Sequence, residues 1–235
     1  MIDAPGTTES DWRAWSGLDS LPLADLTGCT SAVVVAAHPD DEVLGVGGAI
    51  ALLAAAGTRL RLVAVTDGEY SHAGAVDKTA LARRRVAETA AALRVLGAQD
   101  AEVIRLRLPD TGVARHEEEL TGLLRELTCG FSICLAPWPH DAHADHEAAG
   151  RAARRACPES LSYPVWMWHW ALPGDPRVPW HRGLRVPLPP AVVAAKRAAI
   201  RCFASQFEPR RPSGQPVLLP CVVAHFSRSQ EVLFG

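Results

Sequence analysis

Residues 32–42 run Ala32-Val33-Val34-Val35-Ala36-Ala37-His38-Pro39-Asp40-Asp41-Glu42, six apolar side chains followed by a His-Pro step and three carboxylates. An unbroken apolar run of this length predicts a strand buried on both faces, as in a parallel sheet. The residues after it predict a helix over 43–56, closed by Gly57 in the left-handed conformation that glycine tolerates. Outward from there the alternation repeats. Strands are predicted over 60–66, 102–108 and 131–136, and helices over 78–96, 117–127 and 145–156. Strand–helix repeats imply right-handed crossovers and a mostly parallel sheet with helices on both faces, a Rossmann-like α/β fold.

The remainder reads differently. Residues 158–190 are rich in proline and contain Val165-Trp166-Met167-Trp168-His169-Trp170, whose alternation predicts a strand with the three indoles on one face. Packing is the default for such a stripe, and a stacking wall for a sugar is the alternative. A helix over 190–203, a Pro-rich loop over 209–220 and short strands around Val222 and Val232 follow, extending the sheet or forming a small lid. The expected organisation is an N-terminal extension on the surface (1–30), a Rossmann-like metal-binding region (31–157) and an elaboration of the same domain (158–235).

Composition narrows the function. The 24 basic and 26 acidic residues give a net charge of −2, which offers no basic footprint for nucleic acid and no patch for an anionic membrane. No apolar run reaches the length of a membrane span and the start lacks a leader pattern, so a cytoplasmic protein is expected. Self-association into a homo-oligomer is left open. Lys78 and Lys196 are the only lysines, and neither sits in a phosphate-binding GxxxxGK loop. The six cysteines form no CxxC pair and are expected to be reduced thiols.

Ligands of a parallel α/β sheet bind at the carboxyl ends of its strands. The first strand ends in His38-Pro39-Asp40-Asp41-Glu42. The fourth leads into Pro139-His140-Asp141-Ala142-His143-Ala144-Asp145-His146. His38 and Asp41, three apart in a turn, can face one centre while Asp40 points elsewhere. One histidine from the second loop completes two imidazoles and a carboxylate, a set with open positions that suits a catalytic metal. Zinc is the first expectation, and iron, cobalt or manganese fit the same donors. An acidic turn at a helix start often only caps the helix. Two such segments at matching strand ends favour a site. Rival motifs fail: Gly150 breaks HExxH after His146-Glu147, Ile50 breaks GxGxxG, and no GxSxG occurs.

With AAHPDDEVLGVGG, VTDGE, RRRVAETAAALRVLG, LPDTG and HADH in order, the chain resembles the PIG-L/LmbE-like family of zinc-dependent N-acetylglucosamine deacetylases over about residues 31–150. The resemblance implies His38, Asp41 and His146 as metal ligands, Asp40 as general base and His143 as oxyanion stabiliser. It further implies that Arg85, in an R-x-x-E, and Asp110, in PDTG, hold sugar hydroxyls of a small glycoside or glycoconjugate. Asp145 is expected to orient His143 or His146. Ala144 departs from the proline usual there. The implied reaction is hydrolysis of an N-acetyl group by metal-activated water, since zinc lowers the pKa of its water to about 7. The alternatives are an amidase for a non-sugar amide and a metal-binding protein without catalysis. Asp141, His140, His169 and His225 carry no assignment, and Arg228 with Glu231 is read as an ion pair.

Overall fold

The chain is described from a computed structural model covering residues 6–72, 77–209 and 214–235, so the first five residues and part of the Pro-rich loop lie outside the description. In chain order the elements are α1 (Glu9–Ala14), β1 (Ser31–Ala36), α2 (Asp41–Ala55), β2 (Arg59–Ala64), α3 (Lys78–Val95), β3 (Glu102–Arg105), α4 (Glu117–Thr128) and β4 (Ile133–Pro137). They continue with α5 (Ala144–Ala156), β5 (Leu161–Tyr163), α6 (Met167–Trp170), β6 (Gly183–Pro187), α7 (Pro190–Ile200), α8 (Pro220–His225) and β7 (Gln230–Phe234).

The strands form one sheet in the order β3-β2-β1-β4-β5-β7-β6. The first five are parallel; the strand–helix alternation predicts four of them and not β5, and β7 and β6 join antiparallel. Every residue of β1 is buried, and its side chains divide between two cores. Val34 and Ala36 pack with Ile50 of α2, Leu93 of α3 and Ile200 of α7. Val33 and Val35 face Leu120 and Leu124 of α4 and the alanines 148, 149, 152 and 153 of α5. Small side chains on α5 let it lie close to the sheet. A Cβ at Gly150 would come within 2.3 Å of the Pro137 carbonyl, which is why HExxH has no room for its second histidine here.

Helix α2 breaks at Val46 (φ −136°, ψ 23°), which frees backbone amides. Glu231 of β7 accepts them, from Gly48 N at 2.6 Å and Ala49 N at 2.8 Å, and Lys196 of α7 donates its Nζ to the same carboxylate at 2.6 Å. The C-terminal strand thereby staples the helix that starts at the HPDDE turn. No helix among the described residues is long and apolar enough to cross a membrane.

Three expectations need correcting. Residues 165–170 are a turn and the short helix α6, because Asp141 draws the amides of Val165, Trp166 and Met167 to itself and leaves them unable to pair in a ladder. Val222 lies in α8, started by Pro220, and only the strand around Val232 forms. The N-terminal segment is anchored by Trp12, which is completely buried and donates its Nε1 to the Trp168 carbonyl at 2.8 Å. Arg228 pairs with Glu9, at 2.6 Å, and not with Glu231, whose partner is Lys196.

Candidate metal centre

The turn after β1 and the loop after β4 leave neighbouring parallel strands, so they meet at one edge of the sheet. Three imidazoles converge there, with ring centroids 4.9 Å apart for His38 and His143, 4.5 Å for His143 and His146, and 5.3 Å for His38 and His146. His146 Nε2 lies 3.3 Å from His38 Nδ1 and 3.2 Å from Asp41 Oδ1, while Asp41 Oδ2 lies 3.3 Å from His38 Nδ1. Donors about 2.0–2.1 Å from a tetrahedral zinc sit about 3.3 Å from one another, the spacing at which His38 Nδ1 and His146 Nε2 stand, with a different Asp41 oxygen beside each. His38, His143 and His146 also offer one nitrogen each within 4.8 Å of one another, which makes His143 a neighbour of the same centre.

The far nitrogens of the two outer imidazoles are held by acids. His38 Nε2 faces Asp145 Oδ2 at 3.1 Å and Asp110 Oδ1 at 3.3 Å. His146 donates Nδ1 to Asp141 Oδ2 at 2.8 Å. Each acid fixes the tautomer that turns the other nitrogen toward the centre. This differs from expectation in two ways. Asp145 orients His38 and neither His143 nor His146, because its carboxylate is pinned by the amides of Thr111 and Val113 at 2.7 and 3.1 Å. Asp141, unassigned from sequence, proves to be the partner of His146. Its position five residues before a histidine at the end of a strand was the available signal.

Asp40 sits beside this set and not within it. Its backbone takes φ 122°, unusual for a residue with a Cβ, and the HPDDE turn thus stores strain where the chemistry is expected. Thr111 and Ala142, in the two adjoining loops, also have positive φ, at 63° and 60°. Arg85 of α3, almost wholly buried, places Nη2 3.4 Å from Asp40 Oδ1 and donates to the carbonyls of Pro39 and Gly68. Gly68 (φ +66°) leaves room for that guanidinium, since a Cβ there would lie 2.0 Å from Arg85 Nη1. Its neighbour Arg84 instead pairs with Glu208 on the surface, and Glu88 of the R-x-x-E holds Ser205 N at 2.8 Å.

Burial and neighbours set the protonation of these groups. Burial pushes Asp40 up to about 7 against the pull of Arg85, and pushes Glu42 up to about 8. Burial together with the two nearby imidazoles takes His143 down to about 3, so it stands neutral. For His146 burial would lower the pKa, but Asp41 and Asp141 lift it to about 9. Asp41 stays well below the usual carboxylate range despite burial, held by His146 and His38.

His38, Asp40, Asp41, Arg85, His143 and His146 line a cavity of about 190 Å³. Asp110 lines it too, with Oδ2 accepting Tyr70 N at 2.7 Å. The C-terminal third contributes Trp166, Gln206, Val217 and Leu218 to the lining, none of which the sequence singled out for this place except Trp166. Trp168 and Trp170 go elsewhere, to Trp12 at 5.0 Å and to Trp138 at 6.3 Å between ring centroids. One helical turn sends the three indoles in three directions.

The family model described as "PIG-L: GlcNAc-PI de-N-acetylase" matches residues 33–157. A 1D-myo-inositol 2-acetamido-2-deoxy-alpha-D-glucopyranoside deacetylase of Catenulispora acidiphila is 31% identical over 153 residues, 54% of this chain and 50% of that protein. The chain spans about half the length of that relative and of a second curated deacetylase it matches. Among solved structures, the N,N'-diacetylchitobiose deacetylase of Pyrococcus horikoshii superposes with a TM-score of 0.62 at 22% identity, over 87% of this chain and 82% of that one. The 4-carboxy-2-hydroxymuconate hydratase of Pseudomonas putida has the same fold, with a TM-score of 0.55 at 24% identity over 75% and 80% of the two chains. At such identities the two structures speak to the fold alone.

Proposed function

Since the chain belongs to the PIG-L family, we propose that it is a metal-dependent deacetylase that hydrolyses the N-acetyl group of an N-acetylglucosamine-containing glycoside or glycoconjugate. One observation carries this reading: two imidazoles and a carboxylate converge at metal-ligand spacing beside a second carboxylate, Asp40, that is left out of the set. A site that only held an ion would have no use for that extra acid.

His38, Asp41 and His146 would hold the ion, with zinc suited to the nitrogen and oxygen donors. When bound, the ion supplies Lewis acidity, lowering the pKa of water to about 7 and polarising the carbonyl. Asp40, poised at about 7 and steadied by Arg85, takes the proton of the attacking water and delivers it to the departing amine nitrogen. Acetate and a free amine result. Neutral His143 carries one N–H; its buried Nδ1 has no protein partner among the described residues and is free to donate to the carbonyl oxygen as charge gathers there. Asp145 holds His38 in the required tautomer. Arg85 and Asp110 line the cavity where sugar hydroxyls would meet them.

The test is to incubate the zinc-loaded protein with a panel of N-acetylhexosamine conjugates and measure free amine. Release from N-acetylglucosamine conjugates supports the reading. Cleavage of simple non-sugar amides alone would make it an amidase, and no amine from either, with metal bound, would make it a binding protein.

A further inference from the structure

Asp141 has no exposed surface, yet it holds more partners than any role in orienting one histidine requires. Oδ2 accepts from His146 Nδ1 at 2.8 Å and from Trp166 N at 2.9 Å; Oδ1 accepts from Val165 N at 3.1 Å and Met167 N at 2.8 Å. Both oxygens are filled. The segment so gripped carries Trp166, which lines the cavity with Leu44, Val165, Val217 and Leu218 as well as with the carboxylates of Asp40, Asp41 and Asp110. The cavity lining therefore combines charged and apolar groups. A pyranose ring has a matching combination, with hydroxyls at its edge and C–H bonds on its faces, and a flat indole suits such a face.

We infer that Trp166 is the wall against which the sugar ring packs, and that Asp141 is the positioning residue tying this wall to the metal-holding His146. The wall rests on the deacetylase reading; the tie to the metal does not. An acid is required at 141 because four donors converge on it. An asparagine offers one accepting oxygen, so in either orientation two of the four bonds lose their acceptor.

Four proteins test it: wild type, Trp166→Ala, Trp166→Phe and Asp141→Asn. Zinc affinity is read by competition with a chromogenic chelator, and sugar affinity by calorimetry with N-acetylglucosamine on the zinc-loaded proteins. Trp166→Ala should keep zinc affinity and weaken sugar binding about tenfold, with Trp166→Phe restoring most of it. Asp141→Asn should lose about 10–100-fold in zinc affinity and weaken sugar binding as well. Should Asp141→Asn fail to fold, nitrogen-15 spectra of the zinc-loaded wild type report directly whether His146 carries its proton on Nδ1. Equal sugar affinity in wild type and Trp166→Ala, or no sugar binding to wild type, overturns the wall. Unchanged zinc affinity in folded Asp141→Asn, or a proton on His146 Nε2, overturns the tie. Failure of the deacetylase reading shows itself separately, as bound sugar with no amine released.

Discussion

Helix α2 meets buried acids at both ends of its kink, and the two groups are built on opposite principles. Beyond the kink, Glu231 takes Lys196 and two backbone amides, so charge is matched one to one and each oxygen has a donor. At the front, Asp40, Asp41 and Glu42 follow one another out of solvent with a single buried guanidinium, Arg85, among them. Glu42 Oε1, Arg85 Nε and His143 Nδ1 have no partner there among the described residues. Native interiors rarely leave such atoms unpaired, and clustered buried acids with orphaned polar atoms beside them mark a place that a ligand completes. One end of the helix is a closed structural pair and the other is an open functional one.

The strongest way to break this contrast is to remove a ligand. His146→Ala should abolish both activity and metal content, which elemental analysis reads as a fall from one ion per chain, while Glu231→Gln should leave metal content alone. An unchanged metal content in His146→Ala would sink the donor set. Asp40→Asn comes next. It should keep the ion and lose about 10²–10⁴ in kcat, because an amide cannot take the proton. If it loses metal as Asp41→Asn does, the two carboxylates have been placed the wrong way round. His143→Ala should cost about 10²–10³ in kcat with KM little changed, as for a donor used in the transition state. A raised KM with wild-type kcat would make His143 a substrate holder.

The open end was legible in sequence and much of the closed end was not, for a physical reason. β1 announces itself because both faces are buried and every residue must be apolar, and its polar successors stand out against that run. His38, Asp40, Asp41, His143 and His146 lie on two short segments, each local in the chain. By contrast, Glu231 and Lys196 are 35 residues apart, and nothing in their surroundings names one as the other's partner. Residues 165–170 alternate as a strand would, but their conformation is decided by Asp141, 24–26 residues earlier. Side chains that act across such distances leave no periodic trace. The family resemblance covers the half of the chain whose elements are self-evident, and the cavity wall of Trp166, Gln206 and Leu218 falls outside it.

Lys196→Met sharpens the contrast from the closed side. Removing the ammonium leaves Glu231 buried without a counter-charge, at a cost of about 3–5 kcal/mol, and should leave kcat and KM as they were. Lys196→Met with Glu231→Gln should recover a large part of that loss, since the charges then go together. Denaturant titration of the two variants decides it, and a single variant as stable as wild type would show that the pair is not the closed unit described here.

The smallest effect expected lies at the edge of the closed region, where the N-terminal segment docks on the C-terminal one. Glu9 accepts from Arg228 Nη2 at 2.6 Å, His225 Nδ1 at 3.0 Å and Arg13 Nε at 3.0 Å. Burial alone would raise its pKa, but hydrogen bonds from His225, Arg228 and Arg13 bring it down to about 2 from an ordinary 4.5. A carboxylate whose pKa is lower folded than unfolded stabilises the fold when charged. Its contribution is therefore whole above pH 4.5 and drains away as the pH falls toward 2. Comparing urea midpoints of wild type and Glu9→Gln at pH 7, 4 and 2.5 should show a gap that narrows down that series, and that shrinks with added salt at pH 7 as the partly exposed charges are screened. A gap that stays constant with pH would mean that neutral hydrogen bonds and the packing of Trp12 hold the segment, and that charge matching stops at Lys196 and Glu231.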